Sequence, residues 1–293
     1  MAATNIEWAD RSWNPVVGCS IVSPGCTNCY AMAMAHRINQ MTLSSHYEGM
    51  TKRVNGRAVW TGNVALAPDH IRTAPLRWRK PSRIFVNSMG DLFHESVPDE
   101  WIDRVFAAMA LAPQHTFIVL TKRAKRMHNY IVEIAEDQQD YRIEAIADAA
   151  GRMMDDGDNA HDCVVNMPWP LPNVWLGVSA EDQARADERI PDLLATPAAV
   201  RFVSAEPLLG PINFRHRLDW IICGGESGRG ARPMHVEWAR SIREQCAAAG
   251  VPFFLKQLGS HVILDGKRLM LRDRKGADMS EWPDDLRVRE FPR

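Results

Sequence analysis

Residues 83–122 read RIFVNSMGDLFHESVPDEWIDRVFAAMALAPQHTFIVLTK. Two short apolar runs, RIFVNSM (83–89) and TFIVLTK (116–122), flank Pro98–Leu111, where Trp101, Val105, Phe106 and Met109 fall on one helical face. A strand, a helix and a second strand in that order predict parallel pairing through a right-handed crossover. The same kind of run recurs as VVGC (16–19), NVWLGVS (173–179), VRFVSAE (200–206), DWIICGG (219–225) and PFFLKQL (252–258), each reading as a buried strand. Val236–Ala249 repeats the helical pattern through Ala239, Ile242 and Cys246. Strands alternating with helices predict an α/β chain, a (β/α) barrel or partial TIM-like barrel, with a doubly wound sheet as the competing arrangement.

The barrel is expected over 1–259, with an insertion at about 124–170 rich in Asp, Glu and Gln. That insertion reads as a helix and a mobile loop around GRMMDDGDNAHD (151–162). Residues 260–293 form a charged C-terminal extension in which LDGK (264–267) predicts a hairpin turn.

With 293 residues, 46% hydrophobic and 24% charged, the chain can bury a full core. A net charge of −1 argues against a surface built mainly to grip polyanions, and leaves room for local basic patches. No signal-peptide core and no run of about 20 apolar residues is present, so a cytoplasmic protein without a membrane span is expected. Six cysteines in a reducing compartment point to a metal or redox site, since they are poor material there for a disulfide framework.

Either architecture puts function at the C-terminal ends of the strands. Those ends are polar: Ser88-Met89-Gly90-Asp91, Thr121-Lys122-Arg123, Ser179-Ala180-Glu181, Ser204-Ala205-Glu206, Gly225-Glu226-Ser227 and Lys256-Gln257. Earlier in the chain comes CSIVSPGCTNCY (19–30), with Cys19, Cys26 and Cys29 ahead of an expected helix at Ala31–Ile38. Three thiolates on one short loop can bind three irons of a [4Fe–4S] cubane and leave the fourth open, and Pro24-Gly25 supplies the turn that brings Cys19 back. The alternatives are three buried cysteines with no metal, or a structural zinc completed by His36, His161 or Cys163. Cys223 and Cys246 lie in apolar patterns and read as core.

Trp13-Asn14-Pro15 before Gly18-Cys19-Ser20, then SPGCTNCYA (23–31), the strand-end SMGD and the strand-end TKR resemble the radical S-adenosylmethionine (SAM) superfamily. Within it they resemble the phage- and prokaryote-borne three-Cys-motif family, itself similar to the spore photoproduct lyase branch. This chain has Cys-x6-Cys-x2-Cys where the superfamily usually has Cys-x3-Cys-x2-Cys, and its aromatic Tyr30 follows the last cysteine instead of preceding it.

The resemblance implies that Cys19, Cys26 and Cys29 ligate a [4Fe–4S] cluster. It also implies that Ser88, Met89, Gly90 and Asp91 receive the SAM amine, that Ser179 and Glu181 face its ribose or methionyl end, and that Lys122 or Arg189 pairs with its carboxylate. An external one-electron donor would reduce the cluster, SAM would be cleaved to methionine and a 5′-deoxyadenosyl radical, and that radical would abstract hydrogen from the substrate. Glu206, Glu226 and Lys256 are the candidate catalytic residues on the substrate side, with Gln257 and Trp175 beside them.

By analogy with the lyase branch the substrate is a nucleobase in DNA or a nucleotide, to be modified, rearranged or repaired. Lys122, Arg123, Lys125 and Arg126 would then meet phosphate, and Trp78 between Arg77 and Arg79 would stack a base. Two other readings use the same residues. One is a redox-free barrel enzyme with Glu206 and Glu226 as acid and base. The other is a zinc-stabilised nucleic-acid-binding adaptor working through the basic runs.

Overall fold

In the computed structural model, which describes residues 4, 6–41, 45–136 and 141–292, the apolar runs form one parallel sheet. Its strands are β1 (Arg11–Trp13), β2 (Arg83–Val86), β3 (Thr116–Thr121), β4 (Val174–Ser179), β5 (Val200–Ala205), β6 (Trp220–Gly224) and β7 (Phe253–Gln257). The helices are α1 (Tyr30–Gln40), α2 (Asp99–Ala110), α3 (Ala124–Glu136), α4 (Tyr141–Gly151), α5 (Gly157–Val165), α6 (Gln183–Ala195) and α7 (Val236–Ala249). The sheet order is sequential from β1 to β7. A doubly wound sheet would reverse at a switch point, and this order has no reversal. The protein is therefore α/β with a sequential seven-stranded parallel sheet.

Contacts group the chain into two compact units. The first comprises Met1–Val22, Cys29–Leu176 and Ala195–Ala199, and the second Ser23–Asn28, Gly177–Leu194 and Val200–Arg293.

In the first unit β2 pairs with β3 in the register Ile84↔Phe117 and Val86↔Val119. Parallel strands covered on both faces read as continuous apolar runs, and Ile84, Val86, Phe117, Ile118 and Val119 are all fully buried. Helix α2 follows Pro98, carries Asp99 and Glu100 in its first turn, where the helix dipole favours them, and buries Ile102, Val105, Phe106 and Met109. Trp101, expected on that face, is only half-buried, and Ile102 takes its place.

The first sheet strand is not VVGC but Arg11–Trp13, aligned with β2 through Trp13↔Val86. Only Trp13 of these three is buried, so no apolar run marks the strand. It is placed instead by Asp10, whose carboxylate accepts the Arg83 N–H at 2.7 Å, and by the Trp13 indole, which donates to the Ile71 carbonyl at 2.9 Å. Val16–Val17 pairs antiparallel with Ala65–Leu66. Where one helix and a loop are expected near 124–170, the structure has α3, α4 and α5. A buried polar cluster ties α3 and α4 to α2: Asp103 accepts from the Tyr130 hydroxyl at 2.7 Å and from Arg142 at 3.4 Å, and Arg142 also reaches Asp99 at 3.1 Å.

In the second unit Trp220 on β6 is the centre of an aromatic cluster, with Phe202, Phe254 and Phe291 ring centroids at 5.7, 6.0 and 5.4 Å. Helix α7 has the bounds its pattern predicts, buries Val236, Ala239, Ile242 and Cys246, and stops at Gly250, whose φ is 64°. The expected hairpin is present: Val262–Leu264 pairs antiparallel with Lys267–Leu269 across Asp265 and Gly266, at φ 51° and 73°. The tail lies along β7, with the Leu255 N–H donating to Val288 at 3.0 Å and the Glu290 N–H to Phe253 at 2.9 Å, which covers an otherwise open sheet edge. Among the described residues no helix is long and apolar enough to cross a membrane.

Candidate functional site

In the first unit β2 ends in Ser88-Met89-Gly90-Asp91 and β3 in Thr121-Lys122-Arg123. Parallel neighbours end on the same side, so these two polar ends meet. The Asp91 carboxylate accepts from the Thr121 hydroxyl at 2.7 Å, the Phe93 N–H at 3.0 Å, the Lys122 N–H at 3.2 Å and the Arg123 guanidinium at 2.8 Å. Both charged side chains are buried, Arg123 at 4% exposure and Asp91 at 7%. The rest of the guanidinium fork donates to both Glu95 oxygens at 3.0 Å and to the Ser20 hydroxyl at 2.7 Å, and stands 3.7 Å from the Cys19 sulfur.

His94 closes the network. Its Nδ1 accepts the Ser96 N–H at 3.1 Å, which leaves Nε2 protonated to donate to the Ser20 hydroxyl at 3.0 Å. Ser20 thus accepts from both His94 and Arg123. The β2 end also packs along the chain just before the cysteines: Gly18 donates to the Met89 carbonyl at 3.1 Å and bridges Gly90. The Ser88 hydroxyl donates to Asn14 at 3.1 Å, and the Tyr30 hydroxyl donates to the Ser88 carbonyl at 3.1 Å. Cys19 and Cys29 are half-buried against one apolar cluster that includes Met32, Met50, Trp60 and Met89.

In the second unit the strand ends carry Glu181, Glu206, Glu226 and Lys256. Glu181 is fully buried, accepts the Gly25 N–H at 2.9 Å and pairs with Arg189 at 3.2 Å, while Arg189 also donates to the Ser179 carbonyl at 2.9 Å. Glu226 accepts from the Asn28 amide at 2.9 Å and from the Arg232 N–H and guanidinium, and Arg232 donates onward to the Pro24 carbonyl at 2.8 Å. The turn Pro24–Cys26 is therefore held by two strand-end carboxylates and an arginine. Glu206, directly after β5, pairs with Lys256 on β7 at 3.0 Å, although β6 lies between these strands. Gly224 on β6 allows that reach: a Cβ there would stand 2.6 Å from the Glu206 carboxylate. Gln257 turns away from this pair and donates to the Gly225 carbonyl at 2.9 Å.

In both units, then, the strand-end carboxylates hold residues of the 19–29 loop. Over residues 3–283 the sequence matches the model of a family described as "Protein of unknown function (DUF5131)". The chain belongs to this family. No curated protein and no solved structure matches it.

Electrostatics follow from these contacts. Burial pushes the Cys19 thiol of this DUF5131 protein up to about 12, with Asp91 adding to the rise and Arg123 opposing it. Burial, helped by Arg123, pushes His94 down, so its imidazole is neutral at pH 7. Burial raises Glu226, but Arg232 and Asn28 outweigh it and hold the carboxyl below its usual range. All six cysteines are thiols. Cys223 and Cys246 are buried core residues, and burial raises both thiols. Among the described residues no three His, Cys, Asp or Glu side chains stand gathered as a ready-made metal group.

Of the two basic runs Arg123 alone is buried, Lys122 and Arg126 are half-buried, and Arg77, Arg79, Lys80 and Lys125 are exposed. Arg123 is engaged as above, Arg126 pairs with Asp99, and Arg77 donates to the Thr73 hydroxyl at 2.8 Å and to the His70 carbonyl. Arg11 covers the Trp78 ring at 4.8 Å. Lys122 and Trp175 are half-buried at the ends of β3 and on β4. His36, offered for a zinc, contacts Thr51 at 3.3 Å and Gln40 at 3.1 Å. Sequence reasoning missed the structural weight of Arg123, Glu95 and Arg232. The one available signal for Arg123 was its place directly after a strand end.

Proposed function

We propose that this DUF5131 protein is a radical SAM enzyme whose [4Fe–4S] cluster is held by Cys19, Cys26 and Cys29. The observation that carries the reading is the attachment of the cysteine loop to carboxylates at the C-terminal strand ends, through Arg123 from Asp91 in one unit and through Gly25 and Asn28 from Glu181 and Glu226 in the other. Strand ends are where a partial (β/α) barrel keeps its chemistry, and a loop merely connecting two elements needs no buried ion pairs to hold it.

The donor set suits the group. Three half-exposed thiols lie within one short loop, and a buried thiol needs a neighbouring cation to ionise. Arg123 is the cation beside Cys19 and opposes the rise that burial and Asp91 impose on its thiol, and an N–H directed at a ligating sulfur would also tune a cluster's potential. Gathering of the ligands would come with the metal, as is common for metal sites. Bound there, the cluster and SAM would supply reductive sulfonium cleavage and hydrogen abstraction, fed by an external one-electron donor.

The chain's own residues then divide the work. Asp91 and Glu181 are engaged by protein partners, so they act by holding the loop, with Arg189 paired to Glu181, and direct contact with SAM falls to Lys122, Ser179 and the strand-end backbone at Ser88–Gly90. The Glu206–Lys256 pair is the polar feature for the substrate side, and the proposed substrate is a nucleobase in DNA or a nucleotide. Glu226, held ionised by Arg232, is poorly suited to the general acid that a redox-free mechanism would ask of it.

Anaerobic reconstitution followed by iron, sulfide and zinc analysis tests the proposal. About four irons and four sulfides per chain are expected. Tightly bound zinc without iron overturns it.

A further inference from the structure

The second unit holds a cleft of about 560 Å³, within the range of ligand sites, that none of the residues discussed so far explains. Four cations line it: Arg229 from the loop after β6, Arg268 from the hairpin, and Arg274 and Lys275 from the segment beyond. Among the described residues none of these four side chains has an acidic partner within ion-pair distance. The acids nearby are committed elsewhere. Asp273, the one acidic side chain lining the cleft, accepts the N–H groups of Lys275 and Ala277 and so caps its own turn. Glu281 takes the Arg272 guanidinium and the Asp273 N–H. A net charge of −1 for the whole chain therefore conceals an uncompensated positive cleft.

The cleft is built on a fixed floor. Loop 225–228 carries the 257–260 segment through Gly225 N–H to Gln257 at 2.9 Å and Ser260 N–H to Glu226 at 2.9 Å, and that segment carries the next through Gly259 N–H to Lys275 at 3.0 Å. Gly259 has φ 88°, and a Cβ there would stand 2.6 Å from the Glu226 carbonyl, so only glycine permits this stacking. The Ser260 hydroxyl joins the two walls: it accepts the Gly228 N–H at 2.9 Å and donates to the Arg274 carbonyl at 2.5 Å. The backbone at Arg274 and beside Arg229 is thereby fixed through one hydroxyl. Between the cations the lining is apolar, with Leu269, Leu271 and Met270, the last 76% exposed.

We propose that this cleft binds a single-stranded nucleic acid segment, its phosphates on Arg229, Arg268, Arg274 and Lys275 and a base against the Leu269–Leu271 ledge. Cations spaced around an apolar ledge suit a strand whose bases are free to turn out, whereas a duplex is read by an element projecting into its groove. The inference deepens the substrate reading given above and stands on the second unit alone, without the cluster.

Fluorescence anisotropy with a labelled deoxythymidine decamer at low salt tests it on the full chain, in iron-free and in reconstituted form. Both forms should bind alike, so absence of iron would count against the radical chemistry and not against the cleft. Affinity should fall by about 0.7 in log K per phosphate contact for each tenfold rise in salt. The triple variant R229A/R268A/R274A should bind roughly tenfold or more weakly, with a shallower salt slope. The corresponding triple lysine variant should keep most of the binding, which separates lost charge from a lost fold. Unchanged affinity in the alanine variant overturns the proposal. Competition by inorganic triphosphate as effective as that by unlabelled decamer, at equal phosphate concentration, overturns it in favour of a site for a lone phosphate group.

Discussion

Arg123 directs its guanidinium to Asp91, Glu95, Ser20 and the Cys19 sulfur while remaining 4% exposed. Removing one partner of a buried charge pair leaves the other uncompensated. Arg123→Met should therefore cost about 3–5 kcal/mol in chemical denaturation, and Arg123→Lys less, because it keeps the charge and loses only the fork. Equal stability of both variants with the wild type would remove Arg123 from the centre of the site. At Cys19, Cys26 and Cys29, replacement by Ala should abolish bound iron and the brown colour, whereas changes at Cys163, Cys223 and Cys246 should leave iron near about four per chain. The cysteines were legible because a tight Cys-x6-Cys-x2-Cys group has few structural uses. Arg123 was not, because its partner lies 32 residues earlier, and a Thr-Lys-Arg run looks the same whether it faces a phosphate or a buried aspartate.

At the scale of elements, the strand ends act as clamps on the cysteine loop, and each clamp has a dependence that can be measured. Glu226 has its folded-state pKa lowered below 4.5 by Arg232 and Asn28, against the effect of burial. Its stabilisation is thus fully present above 4.5 and lost as pH falls through the lower folded value. Thermal denaturation of Glu226→Gln against wild type should show a deficit of about 2 kcal/mol at pH 7 that vanishes in acid, and a deficit independent of pH would contradict the ion pair. Gly224→Ala should drive Glu206 off Lys256 and cost about 1–3 kcal/mol, since a Cβ meets the carboxylate at 2.6 Å. The apolar strands and helices α2 and α7 were readable from periodicity because burial alone fixes them. Strand β1 was not, since its position depends on the Asp10–Arg83 contact, and α5 was not, since it begins within the polar stretch 151–162 that reads as a loop, where the Gly151 and Gly157 backbones meet so closely that a Cβ on Gly157 would stand 2.8 Å from the Gly151 carbonyl.

For the whole molecule the question is whether metal is needed for the fold or only for the chemistry. The first unit closes on Ile84, Val86, Phe117 and the buried face of α2, and the second on the aromatic cluster around Trp220. Neither core is centred on Cys19, Cys26 or Cys29: Cys19 and Cys29 pack half-buried at the edge of one apolar cluster, and the loop's residues are held by ion pairs and hydrogen bonds. A small zinc domain differs in that its metal supplies most of the folding free energy and chelation unfolds it. Iron-free chain should therefore keep its far-UV circular dichroism and a cooperative melt within a few degrees of the reconstituted protein, while only the reconstituted, reduced protein converts SAM to 5′-deoxyadenosine and methionine, slowly even without substrate. Collapse of the circular dichroism on chelation would make the loop a structural metal site. An iron-loaded, reduced protein that leaves SAM intact would instead keep the cluster and remove the radical chemistry, so the two measurements fail separately.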